Sequence, residues 1–475
     1  MTAGPAGEPG AGSGPEPLWH RSAGQLAAAY AEGSATPADV LEAVIERAEQ
    51  VDERLNVFAH RAFDEARRAA AASGERWRRG TPAGPYDGVP VTVKDNIPVA
   101  GMPCAWGSRV FAARTPDRDE LCVTRLRAGG WVILGKTNVS EFTLGLGNVD
   151  TLLHGTTRNP WDPRLTTGAS TGGGAAAVAA GVGPVALGTD GGGSIRWPAA
   201  YCGLVGLKPT VGRIARHDGL PVVLHDLEVV APAARTVADL AALLDAVAGP
   251  DPRDRASLGV PDPPGAGGRP LRIRLVGRFG DHPVEPAVTA SLTAAADRLT
   301  ALGHVVTAGP VPFDFARFDR HWRTIGTTGL AWLLRDHDGW RQQVGAIYPP
   351  MVEHGRSLTA VDYVAALTTF RELFVQLADF FTGTDLLLTP TAGAMPWPAD
   401  QLAPPYQRVF TGIANATGVP AITLPGPPSP DGLPVGFQLL ARYGADRLLL
   451  DVARDYESGF PWADRRPVPH PPKGA

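Results

Sequence analysis

Lysine is the residue this chain almost does without. Lys and Arg together number 44, yet only Lys94, Lys136, Lys208 and Lys473 are lysines. Arginine therefore serves wherever a fixed positive charge is enough. A guanidinium stays protonated in proteins, whereas a buried ammonium can give up its proton. The three interior lysines thus become candidates for proton transfer. Cysteine is scarce too. Cys104, Cys122 and Cys202 form an odd set without metal-ligand spacing, which excludes a disulfide framework and reads as reduced, buried thiols. Long apolar runs are missing: none approaches the roughly 18 residues that a membrane span requires. Excess positive charge is missing as well, and a net charge of −4 lacks the basic footprint of a nucleic-acid binder. The opening segment, residues 1–17, has no apolar stretch of the kind a secretory signal carries. It is rich in Gly, Pro and Ala and is expected to be a disordered tail on a cytoplasmic protein.

What is present points to a large folded unit. With 475 residues, 44% hydrophobic and 19% charged, the chain can fill a sizeable core. Residues 22–51 read as two helices, the second starting at Thr36 as N-cap with Pro37 in the first position. Strand-like runs at 89–93, 131–134, 185–189, 271–276, 385–389 and 435–440 are interspersed with helical patterns at 119–129, 174–181, 236–248 and 286–302. That alternation predicts an α/β fold with a largely parallel sheet. Residues 311–381 are helical in pattern and carry Phe313, Phe315, Phe318, Trp322, Trp332, Trp340, Tyr348 and Phe370. The aromatics either fill helix cores or line an apolar substrate funnel. Residues 18–470 are expected to form one domain, with about 311–381 as a helical, substrate-facing insertion.

Chemistry concentrates in residues 168–210. Two glycine-rich turns, Gly168 to Gly174 and Gly191 to Ser194, flank a small-residue helix and a strand. Tandem glycines let backbone N–H groups converge, and such a cluster can hold a developing oxyanion. Ser194, directly after one cluster, is placed to attack the carbonyl held there. A serine nucleophile needs a base, and no histidine sits in an evident catalytic motif. Lys94 ends an apolar strand, where desolvation favours the neutral amine. An ion pair with Asp95 is the competing role for it, and Lys136 and Lys208 are rival bases on the same argument.

Several segments carry a resemblance. Gly88-Val-Pro-Val-Thr-Val-Lys-Asp95 resembles the lysine motif of the amidase-signature family. Gly135 to Phe142 and Thr157 to Asp162 resemble its next two blocks. Gly168 to Gly181 is similar to its Gly-Gly-Ser-Ser-Gly-Gly segment. Gly188 to Pro198 and Cys202 to Thr210 are similar to its nucleophile block. Asp385 to Pro390, Asn415 to Ala421 and Gly432 to Gln438 resemble its C-terminal blocks. The likeness runs in order over roughly residues 20–460.

The resemblance implies a large mixed, mostly parallel sheet with helices on both faces. It also implies a Ser–cisSer–Lys triad: Ser194 as nucleophile, Ser170 on a cis peptide bond as relay, and Lys94 as base. The backbone of Gly191, Gly192 and Gly193 would supply the oxyanion hole. Thr143, Leu144 and Gly145, together with Thr171, would contact substrate. No metal or cofactor is called for. The expected substrate is a small amide or carbamate (urethane) bearing apolar or aromatic groups. The same family includes the glutamine-hydrolysing component of a tRNA-dependent amidotransferase, which is the alternative. A homodimer is compatible with the sequence. Where the family commonly has Gly-Gly-Ser-Ser, this chain has Gly168-Ala169-Ser170-Thr171, a difference that bears on pocket shape.

Two further strings are set aside on structural grounds. Gly168-Ala-Ser-Thr-Gly172 fits a nucleophile elbow, but the preceding residues have two prolines and no strand alternation. Gly130 to Thr137 fits a P-loop string, but the four residues between its glycines are themselves strand-like.

Overall fold

A computed structural model describes residues 16–221 and 223–467. The expected tail over 1–17 lies almost wholly outside the described residues, as does Lys473. No helix among the described residues is long and apolar enough to cross a membrane.

Thirteen strands are described: β1 (Phe58–Arg61), β2 (Pro90–Lys94), β3 (Val132–Thr137), β4 (Asp150–Thr151), β5 (Gly155–Thr156), β6 (Val185–Asp190), β7 (Val205–Lys208), β8 (Val229–Ala234), β9 (Arg272–Leu275), β10 (Val305–Ala308), β11 (Leu386–Pro390), β12 (Ala421–Pro425) and β13 (Gly436–Ala441). β4 and β5 form a small hairpin. The other eleven make one sheet in the order β1-β3-β2-β6-β8-β7-β12-β13-β11-β9-β10. Every residue of β2, β3, β6, β7, β8, β11, β12 and β13 is buried. Strands buried at every position must be covered on both faces, which is why they read as apolar runs rather than alternating ones. The edge strand β10 is largely exposed.

The large mixed sheet is the one expected, but its mostly parallel character is corrected. Among the described residues, parallel pairing joins β2 to β3, β2 to β6, β9 to β10 and β9 to β11. The centre, from β6 through β8, β7, β12 and β13 to β11, is antiparallel. β7, β8 and β12 carry weak strand signals. β7 is four residues long and contains Gly206. β8 contains Pro232, which opposes Leu187 of β6 but lies beyond the shorter β7–β8 ladder. Proline argues against a central strand and glycine weakens one.

The helices follow their signals closely. Thr36 caps Pro37–Leu55 through a reciprocal box with Asp39. Residues 311–381 hold three long helices, Phe315–Leu333, Tyr348–Ser357 and Ala360–Gly383. Both decoy strings resolve: most of the P-loop-like string is β3, and no strand leads into Ser170.

Close packing between the helix Gly172–Ala180 and β6 sets the site. Every residue of that helix is buried. A Cβ at Gly188 of β6 would collide with the Thr171 side chain, its Cγ2 first. Gly188→Ala is therefore expected to destabilise the fold by about 1–3 kcal/mol through overpacking. Adding Thr171→Ser, which deletes the clashing methyl, should recover part of that loss in urea unfolding.

Candidate active site

β2 delivers Lys94 to a fully buried position. Its Nζ lies 2.8 Å from Ser170 Oγ, 2.8 Å from Thr189 Oγ1 and 3.3 Å from the Thr189 carbonyl. An ammonium donates to all three. A neutral amine keeps two of these bonds as donor and accepts the third from a hydroxyl that turns its proton round. Burial pushes the Lys94 ammonium down to about 7; the carboxylates of Glu228 and Asp190 pull it back up, and the Arg216 guanidinium lowers it.

The rival lysines sit elsewhere. Lys136 donates to the Asp95 carbonyl at 3.1 Å, and its Nζ is 3.8 Å from the Asp95 carboxylate. Asp95, the neighbour that competes for Lys94 in the sequence, thus faces Lys136. Lys208 is likewise pushed down to about 7 by burial, with Arg196 next in effect. Its Nζ bonds the Pro209 carbonyl at 2.7 Å, and it does not line the cavity described below.

Lys94 also heads a polar chain. Thr189 Oγ1 accepts from Asn96 Nδ2 at 3.1 Å, and Asn96 Nδ2 is 3.5 Å from Glu228 Oε1. Glu228 is held in turn by Arg216 at 3.1 Å and accepts from Thr143 Oγ1 at 3.3 Å.

Ser170 follows a cis Ala169–Ser170 peptide bond. Ser170 and Ser194 open onto the same cavity, of about 540 Å³. The two loops are joined by Thr171 N–H donating to the Ser194 carbonyl at 3.0 Å. Among the described residues the Ser194 hydroxyl makes no hydrogen bond, and neither do the backbone N–H groups of Gly191, Gly192 and Ser194. Those three residues line the cavity.

Gly193 behaves differently. Its N–H donates to Asp190 Oδ1 at 2.8 Å, and Gly193 does not line the cavity. Gly193 is therefore corrected from oxyanion donor to part of the turn's support, where its φ of 120° suits glycine. Thr171 is corrected as well. It is fully buried away from the cavity, and its hydroxyl donates to the Thr189 carbonyl at 3.1 Å. Thr143, Leu144 and Gly145 do line the cavity.

The Gly191–Ser194 turn hangs on a buried ion pair. Asp190 accepts from the Gly193, Ile195 and Arg196 backbone N–H groups. Arg196 is fully buried and places all five of its donors. They reach both Asp190 oxygens at 2.9 Å, the Thr411 carbonyl at 3.0 Å, Gln438 Oε1 at 3.0 Å and Asn415 Oδ1 at 2.7 Å. Burial opposes ionisation of Asp190, but the Arg196 guanidinium and these hydrogen bonds hold its carboxyl well below the usual range. Asp190, Arg196, Asn415 and Gln438 fall inside the sequence motifs, yet sequence reasoning gave them no roles. It missed Glu228 and Arg216 altogether.

The cavity wall is mostly apolar, with Leu144, Leu146, Leu224, Trp322 and Met351 among its residues. Of the aromatics in 311–381, Trp322 alone lines it; Phe313, Phe318, Trp340, Tyr348 and Phe370 belong to packed cores. Trp332 is exposed. The helix-core reading holds for most of that cluster.

Comparison with known proteins places the chain in a family. Residues 39–450 match the Amidase family model. The chain is 34% identical to an acylamidase of Rhodococcus erythropolis, covering 94% of this chain and 97% of that one. It is 35% identical to the A component of the glutamyl-tRNA(Gln) amidotransferase of Chloroflexus aurantiacus, covering 95% of this chain and 99% of that one. Its fold matches a bacterial aryl acylamidase with a TM-score of 0.86 at 28% identity, over 94% of this chain and 98% of the other. The chain belongs to the amidase-signature family of hydrolases.

Removing one member of the buried pair leaves an uncompensated charge. Arg196→Met is expected to cost about 3–5 kcal/mol in denaturant unfolding. Arg196→Lys should recover only part of it, because three donors cannot meet the acceptors that five now satisfy.

Proposed function

We propose that this protein hydrolyses the C–N bond of small amides or carbamates through a Ser194 acyl- or carbamoyl-enzyme. The observation that carries this is the buried Lys94–Ser170 hydrogen bond of 2.8 Å, directly behind the cavity that Ser194 lines. Neutral Lys94 takes a proton from Ser170 as Ser170 takes one from Ser194. The Ser194 oxygen attacks the carbonyl carbon, and the free N–H groups of the 191–194 turn face the developing oxyanion. The tetrahedral species collapses, the C–N bond breaks, and the relay returns a proton to the leaving nitrogen. Water then attacks the acyl-enzyme by the same route in reverse roles. Substrate closes the Ser170–Ser194 contact, as catalytic hydrogen bonds commonly tighten only in the complex. The chain 18–470 acts as one unit in this reading, with Trp322 as the insertion's aromatic contribution to the substrate wall.

The alternative, glutamine hydrolysis as a component of a tRNA-dependent amidotransferase, draws support from the relative at 35% identity. The cavity argues against it. Glutamine presents an α-ammonium, and no carboxylate lines the cavity among the described residues.

A matched anilide and aryl carbamate test the proposal. Aromatic amine should be released by the wild type, with Ser194→Ala slower by about 10³-fold or more. Release that persists in Ser194→Ala would sink the serine mechanism, and ammonia release from glutamine only with a partner chain would favour the alternative. The pH profile gives a second check. The active form is the neutral amine, so turnover should rise through about pH 7 and then level off. Because Glu228 stabilises the ammonium, Glu228→Gln should move the rising limb to lower pH. A profile falling from about pH 6 to pH 9 in folded protein would count against a lysine base.

A further inference from the structure

Among the described residues, the charged groups lining the catalytic cavity are all basic. The exposed lining residues Arg323, Pro350, His354, Leu402 and Pro405 mark its mouth. Arg323 comes from the helix Phe315–Leu333, one residue after Trp322. Arg408, half-buried, comes from the segment that leads into the helix Gly412–Ala416. Among the described residues, neither guanidinium makes a hydrogen bond or an ion pair.

That sets the half-buried Arg408 apart from several enclosed arginines near the site and in the core. Arg76, Arg196, Arg213 and Arg216 each meet a carboxylate, and Arg125 meets backbone carbonyls. Burial, and then repulsion from Arg323, push the Arg408 guanidinium down to about 10, against a pull from the exposed Asp319. A desolvated guanidinium without a counter-charge is unfavourable, and an arriving anion relieves it.

We propose that Arg408, assisted by Arg323, receives a carboxylate of the substrate. Preferred substrates are then amides or carbamates with a negative charge at the end that projects toward the cavity mouth. An apolar stretch between that charge and the scissile bond lies against Leu144, Leu146 and Trp322. Guanidinium suits this task because its fork pairs bidentately with a carboxylate. This inference rests on the cavity being the substrate site of a serine amidase. It goes further by giving the substrate a charge.

The test uses Ser194→Ala, so that bound compounds stay intact, and reads binding by calorimetry. The probes are adipic acid monoanilide, with its carboxylate on the acyl side, and N-benzoyl-γ-aminobutyrate, with its carboxylate on the amine side. Each is paired with its methyl ester. At least one acid should bind about tenfold or more tightly than its ester, and that ratio should fall toward one in Arg408→Gln. Arg323→Gln, at an exposed position where folding is not at stake, should give a smaller fall. The proposal is overturned if neither acid outbinds its ester, if neither acid binds, or if the preference survives both substitutions. Wild-type turnover separates the two readings. Esters hydrolysed as well as acids, without a binding preference, would remove the anion site and leave the hydrolase standing. An acid preference in binding without turnover of any probe would keep the anion site and count against the hydrolase.

Discussion

The buried pair of Asp190 and Arg196 is the constraint on which the site depends. Two opposite charges out of water recover their desolvation only when geometry and additional hydrogen bonds are complete. Here they are. Arg196 uses every donor it has, and Asp190 takes three backbone N–H groups besides the guanidinium. The backbone bonds fix residues 193–196 against β6, which fixes Ser194 between them. The side-chain bonds reach Thr411, Asn415 and Gln438, residues more than two hundred positions away. One arginine therefore ties the turn that carries Ser194 to the second half of the sheet. The same pairing decides which N–H groups face the cavity: Gly193 is consumed by Asp190, leaving Gly191, Gly192 and Ser194.

Lysine scarcity proved informative because the two basic side chains differ in what burial does to them. An arginine in the place of Lys94 would stay charged, and the chain shows what that demands by surrounding Arg196 with full compensation. Lys94 is given hydroxyls and a carbonyl instead, with its nearest carboxylates held off by other partners: Asp190 by Arg196, and Glu228 by Arg216. Scarcity alone could not choose among the lysines. Burial lowers Lys208 as far as Lys94, so a depressed ammonium is not by itself a mark of function. Position decides, since among the described lysines only Lys94 touches a serine that opens onto the cavity.

The elements legible in the sequence were those with strong local signals: capped helices, long apolar strands and glycine-rich turns. Three central strands were not legible: β7 is four residues long and contains Gly206, β8 contains Pro232, and β12 is a five-residue run ending in Pro425, so that long-range pairing alone makes them strands. Lys94, Ser170 and Ser194 stood out through their motifs. Thr171 and Gly193 were misplaced, because adjacency in sequence does not say which side of a turn faces the cavity. The hydroxyl of Thr171 turns to the Thr189 carbonyl, and the N–H of Gly193 turns to Asp190. Arg408 carries no local pattern at all. Its significance arises only from what the fold leaves out around it.

The separation of charges across the cavity follows one electrostatic logic. Lys94 lies behind Ser170 and does not line the cavity, so in the proposed mechanism it meets substrate only through Ser170. Were a substrate anion to approach Lys94, it would favour the ammonium and switch off the base. Coulombic influence falls with distance and is weakened further where water enters. An anion held at a solvent-facing mouth by Arg408 and Arg323 is neutralised there and stays outside the apolar wall. In the proposed scheme the lining residues thus keep two charge-dependent tasks apart: recognition of a negative group at the wet end, and a neutral amine at the dry end. The wall between them, built of Leu144, Leu146, Leu224 and Trp322 and without a carboxylate among the described residues, is what would let both work in one cavity.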